Sequence, residues 1–399
     1  MSRLSVPAAP PRSARPWRVW RRVHGLIALA AGLWLGLLGA TGAIVGLREP
    51  LLSALNPVDA RRGAGPALPP SAILRAARAR YPDAAVVQLE WHRGQRWRVY
   101  ARGTSGAWAM TLVDPRSGDA SGEPRGERLV EACLVLHRGL FLGKYGAACA
   151  GWSSVLLLML AGSGGYLRWR ASRGRIRRMP WPRWRLSGRA RWTELHGACG
   201  SALLPAYLLI AVTGLWLAFA SVRGVAAHAG IAAAAGGRPV HARPAAANPA
   251  DLDRLWRSLR GGVRGLREAH LLPFVQAGAV SATYLDRHSP HERAFDRVVM
   301  DVPSGRLHWQ PFAGLAAAKR RAAAIYPLHA GSYFGRAGSW VFALAALCLP
   351  LFLISGVATW LWRRRAGGRA SDRPATSVTI APGERRDEPP DRSPSRTCG

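Results

Sequence analysis

The chain has 399 residues, 49% of them hydrophobic, with a mean hydropathy near zero and a formal net charge of +34. That average joins long apolar runs to strongly polar ones, which excludes both a disordered chain and an ordinary soluble protein. Lysine occurs only at Lys144 and Lys319, so the charge is arginine, and it clusters beside the apolar runs. No nucleic-acid motif accompanies it, so these are the positive flanks of membrane helices. Cys133, Cys149, Cys199, Cys348 and Cys398 show no CxxC or metal-type spacing, and they read as small apolar residues.

Residues 1–23 are Arg- and Pro-rich, and the apolar run from about 25 to 47 is too long for a signal-peptide core. It is long enough to span a bilayer. Gly32, Gly36, Gly42 and Gly46 fit close helix packing and contact with a flat cofactor equally well. Arg48-Glu49-Pro50 ends this helix, and Pro66 to Pro70 form a linker. Ser71 to Arg80 then predicts a short helix, followed by strands over Ala85–Trp91, Arg96–Ala101 and Ala107–Val113. Asp114-Pro115-Arg116-Ser117-Gly118 makes a turn that Pro303-Ser304-Gly305 echoes. Further spans are expected over about 147–167, 198–220 and 340–362, the last two interrupted by Pro205 and Pro350. The second long polar region, 221–327, shows two strands, Ala279–Asp286 and Phe295–Asp301. Residues 366–399 are Pro-, Ser- and charge-rich and read as a disordered tail.

Two halves of the chain echo each other. Leu136-His137-Arg138-Gly139 and its following glycines recur from Leu328-His329-Ala330-Gly331, and His24-Gly25 to Thr41-Gly42 recurs as His196-Gly197 to Thr213-Gly214 with the same spacing. The short Arg-dense segments place both termini in the cytoplasm and both long polar regions outside. The resulting architecture is mainly α: a four-helix transmembrane bundle built from two parallel repeats, with small α+β extracytoplasmic modules. It divides into a cytoplasmic N-terminus (1–23), a first span (24–47), an outer module (48–135), an outer His motif with the second span (136–170) and a cytoplasmic Arg-rich loop (171–195). A third span (196–220), a second outer region (221–327), an outer His motif with the fourth span (328–362) and a cytoplasmic tail (363–399) complete it.

This topology puts His24 and His196 at the cytoplasmic starts of outward-going helices and His137 and His329 on the outer side. Equivalent residues facing each other across the bundle axis make two bis-histidine sites at different depths. That is the geometry a haem iron requires of its two axial ligands, and two haems so placed give an electron path across the membrane. Because His137 and His329 precede the apolar core by some ten residues, they also fit the lining of an outer substrate pocket. His92, His228, His241, His270, His288, His291 and His308 have no repeat partner, and His288 and His291 read as solvated. Arg93, Arg96, Arg98 and Arg102 read mainly as a solvated face that could also steer anions.

These motifs, with Asn56-Pro57 after the first, resemble those of the PepSY-associated transmembrane family, which includes iron-regulated membrane proteins and ferric-siderophore reductases. The segment 71–120 resembles a PepSY module, while the second outer region matches one poorly. The resemblance covers about 20–365 and implies haem b, two per chain, with His24, His137, His196 and His329 as the haem-iron ligands. It further implies reduction of a ferric siderophore or another periplasmic acceptor, in a multi-pass protein of the bacterial inner membrane that contacts the lipid bilayer and no nucleic acid. Some relatives carry a flavin reductase domain; here a short tail stands instead, so the donor would be quinol or a separate cytoplasmic reductase. No catalytic carboxylate pair is expected. The alternative is a non-enzymatic membrane protein whose modules bind or restrain an envelope peptidase or other partner; a transporter is disfavoured because no charge falls inside the apolar cores.

Overall fold

The computed structural model describes residues 15–57, 66–104, 106, 108–142, 145–219 and 245–371. The expectations for residues 1–14, for most of the Ala/Gly-rich stretch after 220 and for the tail beyond 371 lie outside the described residues.

The apolar runs are helical. Helix α1 covers Arg15–Gly46, and the short α2 (Arg48–Leu55) follows it at once. Outside the membrane runs, α3 (Pro70–Arg80) opens with its proline in the first turn, where the missing N–H costs nothing. It leads into β1 (Ala85–His92), β2 (Trp97–Arg102) and β3 (Trp108–Val113), close to the strands read from alternation. Next come α4 (Glu127–Gly139) and the long apolar α5 (Gly146–Ala171). Then the chain runs through α6 (Gly188–Ala202) and α7 (Leu204–Ala218).

The second outer region starts with a two-residue strand, β4 (Ala245–Ala246), and α8 (Pro249–Gly262), which is capped by the Asn248 side chain accepting from Ala250 N. After it run β5 (Glu268–Gln276), β6 (Ala279–Leu285), β7 (Asp296–Asp301) and β8 (Leu307–Gln310). The chain closes with α9 (Ala317–Ala330) and α10 (Gly335–Ser371). Residues 366–371 are therefore helical rather than part of a tail.

Among the described residues, three helices are long and apolar enough to cross a membrane, within Pro16–Gly46, Gly146–Ala171 and Ser332–Trp362; α6 and α7 together make a fourth candidate, bent by 60°. The bend falls at Leu203, one residue before the helix that carries Pro205 near its start, where proline is tolerated. Pro350, by contrast, does not interrupt its span. It lies inside the continuous α10, and Gly36 of α1 gives it room: a Cβ there would meet the Pro350 backbone at 3.3 Å. Gly32 likewise meets Leu353. These glycines serve close packing of α1 on α10, the most extensive helix pair of the bundle.

The strands form one antiparallel sheet in the order β3-β2-β1-β5-β6-β7-β8, with β4 beside β5. The helix and three strands α3-β1-β2-β3 are thus matched by α8-β5-β6-β7, joined edge to edge through β1 and β5. The second polar region, a poor match by sequence, repeats the path of the first. Both halves end in the same turn: Asp114 accepts from the Arg116 and Ser117 N–H groups, and Asp301 from the Ser304 N–H. One face of the sheet holds Leu89, Trp97, Val99, Leu271, Val280 and Met300 under α3 and α8, each almost wholly buried. Full burial of such a side chain is worth roughly 1.5–3 kcal/mol. The other face turns polar side chains toward α2, where Arg98 makes a bidentate pair with Glu49 at 2.9 and 2.7 Å.

Candidate cofactor site

The four histidines meet in two pairs. The ring centres of His24 and His196 are 6.4 Å apart, and those of His137 and His329 are 6.3 Å apart. His24 lies in α1 and His196 in α6, where the apolar runs begin. His137 and His329 end up at the C-terminal turns of α4 and α9, two helices that the polar sequence before each span concealed. Left-handed residues close both helices, Leu140 with φ 54° and Gly331 with φ 77°. Packing brings both of these rings onto the apolar helices: α4 lies against α1 and α5, and α9 against α7.

Each ring is fixed through the same atom. His137 Nδ1 is 3.0 Å from the Leu38 carbonyl and 3.4 Å from Thr41 Oγ1. His329 Nδ1 is 3.0 Å from the Ile210 carbonyl and 3.0 Å from Thr213 Oγ1. A carbonyl only accepts, so Nδ1 carries the proton in both rings. In the inner pair, His24 Nδ1 lies 2.9 Å from Ser163 Oγ, and His196 Nδ1 lies 2.7 Å from Ser355 Oγ. Both serine hydroxyls already donate to a carbonyl of their own helix, Met159 and Phe352, so here too the imidazole N–H is the donor. All four rings thus donate through the same nitrogen, and in the neutral imidazole this leaves the lone pair on Nε2. Among the described residues nothing hydrogen-bonds to that nitrogen.

The repeated Thr-Gly pairs now have a physical reason. Thr41 and Thr213 hold a ring, and the next residue leaves it space: a Cβ on Gly42 would come within 2.8 Å of His137 Cε1, and one on Gly214 within 3.2 Å of His329 Cε1. Ser163-Gly164 and Ser355-Gly356 do the same for the inner pair, though only Gly164 is crowded, with its Cβ 3.2 Å from His24 Cε1. These serines were missed from sequence. The signal was present, because Ser163-Gly164 follows His137 at the same offset as Ser355-Gly356 follows His329. Also missed was Glu194, just ahead of His196, which is buried and accepts from Arg168 at 2.9 Å and Arg183 at 2.9 Å, tying the Arg-rich loop to the start of α6.

Other expectations drawn from residue patterns need correcting on the same geometry. His291 is buried, its ring packed against Phe312 and Tyr333 rather than solvated. His92 and His270 do have a counterpart, namely each other, across the β1–β5 seam. Arg98 is no part of a solvated face but is buried on Glu49, and Arg93 donates to the Leu266 carbonyl.

A mostly helical protein with three to four candidate membrane spans, a separate antiparallel sheet and two facing histidine pairs is the class that fold and site define. The chain matches the PepSY-associated TM region over residues 21–364, and it belongs to that family. No curated protein matches it.

Proposed function

We propose that the protein is a haem-b reductase of the bacterial inner membrane: a four-helix bundle of two parallel repeats, with both termini cytoplasmic and the sheet in the periplasm. It would pass electrons from quinol or a cytoplasmic reductase to an outer acceptor, with a ferric siderophore as the best candidate. The paired histidines carry this reading. Two imidazoles sharing one metal at bonds of ~2.0 Å have ring centres about 6 Å apart, which is the separation of both pairs. The donor chemistry fits as well, since each Nε2 offers a lone pair while Nδ1–H is spent on a hydroxyl or carbonyl.

His24 with His196, and His137 with His329, would hold the two haems. Haem b supplies a one-electron ferric/ferrous couple. The chain's own residues orient the ligands (Ser163, Ser355, Thr41, Thr213) and pack around them with apolar side chains, Phe352 lying 4.9 Å from His196 between ring centres. Reduction of iron held by hard oxygen donors weakens the chelate and releases the metal, and it needs no acid–base pair from the protein.

The test is an oxidised and dithionite-reduced visible spectrum of the detergent-purified protein, with haem quantified as the pyridine haemochrome. We expect about two haems per chain, and the loss of one in His24→Ala or His196→Ala with the other kept. A colourless protein from haem-replete cells would overturn the reading and leave the partner-binding alternative. Unchanged haem in both variants would overturn the pairing.

A further inference from the structure

The seam at the centre of the outer sheet holds a second set of donor side chains, which the bundle does not use. In β1 and β5, Glu90 lies opposite His270 and His92 opposite Glu268. Strand alternation puts both residues of each Glu-x-His tripeptide on one face, the face turned away from the apolar core and toward α2. The result is a two-by-two array in which the two halves of the sheet each contribute one carboxylate and one imidazole.

The array is compact. His92 Nε2 is 3.7 Å from Glu90 Oε2, His92 Nδ1 is 3.7 Å from Glu268 Oε2, and His270 Nε2 is 3.8 Å from Glu90 Oε1. Ligand atoms of Glu90, His92 and His270 all lie within 4.8 Å of one another. Ligands at ~2.1 Å from a tetrahedral ion are about 3.4 Å apart, so closure on a cation needs only small side-chain movement. His92 Nε2 is buried and hydrogen-bonds to nothing among the described residues, a state that buried polar atoms avoid. Supporting contacts already aim two of the donors: Gln88 Nε2 donates to Glu90 Oε1 at 2.7 Å and Phe295 packs on the His270 ring, while His270 Nε2 donates to Glu268 Oε1 at 2.6 Å, a proton that a bound cation would displace to solvent.

We propose that Glu90, His92 and His270, with Glu268 as the adjoining fourth donor, bind a divalent first-row transition cation. Mixed imidazole and carboxylate donors suit zinc, iron(II) or manganese(II) better than calcium or magnesium. Charge argues the same way. Arg98, on the same face and paired in register with Glu90, spends both terminal nitrogens on Glu49, so a dication at the seam would balance the two partly buried carboxylates. The inference stands on the sheet alone and does not depend on the haem reading.

Full-length protein purified in detergent without a His tag and stripped with chelator is dialysed against Zn²⁺ alone and against Mn²⁺ alone. Bound metal and haem are then counted in the same samples. The native protein should bind about one ion per chain at this site, and the double variant His92→Ala/His270→Ala should bind it at least ~100-fold more weakly with haem content unchanged. Glu90→Gln, nearly isosteric and so compatible with the fold, should lose about 10-fold. No stoichiometric binding by the native protein, or binding as tight as native by both Glu90→Gln and the double variant, would overturn the proposal.

Discussion

The apolar helices and the sheet repeat themselves in different ways. In the helices a few positions recur with their residue types and spacing: His24, Thr41-Gly42, His137 and Ser163-Gly164 find their counterparts in His196, Thr213-Gly214, His329 and Ser355-Gly356. In the sheet only the path of the backbone recurs, together with one short tripeptide, Glu90-Trp91-His92 and Glu268-Ala269-His270. Holding an imidazole by Nδ1 requires a hydroxyl on one particular helical turn and a bare backbone beside it, so residue identity is dictated. Filling a strand core requires only apolar side chains at alternate positions, which many sequences satisfy.

The largest effect that would break this comparison comes from the bare backbone. Gly42→Val places methyl groups where a Cβ alone already comes within 2.8 Å of His137, so the ring leaves Leu38 and Thr41. On the proposed reading, haem falls to about one per chain. Gly356→Val should leave haem content unchanged, because nothing lies within 4 Å of a Cβ there. Equal haem in the two variants would show that the repeated glycines do not serve the rings.

The sheet should break separately. Leu271→Ala removes a wholly buried side chain at the seam, at a cost of roughly 2–5 kcal/mol. Hydrogen exchange of the β1 and β5 amides should speed up by ~30-fold or more, while the haem spectrum stays as it was. A change in both would mean that sheet and bundle unfold as one unit.

What could be read from the residues alone follows the same division. The apolar runs gave α1, α5 and α10, and strict alternation gave β1 to β3, because both patterns have a fixed period. The break in the third span was legible only through Pro205, since hydropathy runs on through it while the backbone turns by 60° at Leu203. β5 hid behind Pro273, which sits where the β5–β6 register shifts and so costs no ladder bond that a regular strand would need. α4 and α9 are polar enough to pass for loops, although they carry two of the four histidines. The histidine pairs were legible because two motifs recur; the serines that hold the inner pair were not, because a lone Ser-Gly is common until a ring is seen bound to it.

A smaller effect tests the hydroxyls. Thr213→Val removes one of the two acceptors of His329 Nδ1, and Thr41→Val a longer contact to His137. Since the Ile210 and Leu38 carbonyls still accept, each loss is about 1 kcal/mol or less. Haem dissociation should quicken by up to ~5-fold, more for Thr213→Val than for Thr41→Val. Stopped-flow transfer of haem to apomyoglobin would measure it, and the reverse order would contradict the distances.

The smallest effect lies where the two regions touch. Burial opposes ionisation of Glu49, but the hydrogen bonds and charge of Arg98 outweigh it and hold the carboxyl down to about 2. Its folded-state value is therefore below the unfolded carboxylate value of about 4.3. The stabilisation is present above that value and is lost as pH falls toward 2. Glu49 is half-exposed, so solvent screening limits the pair to under about 1 kcal/mol. Arg98→Ala should accordingly lower the thermal midpoint of the sheet slightly at pH 7, followed by the fluorescence of Trp97 and its neighbours, and the gap from native protein should narrow as pH drops below about 4. A gap that stays constant to pH 3 would mean that Arg98 acts by packing its stem rather than by its charge.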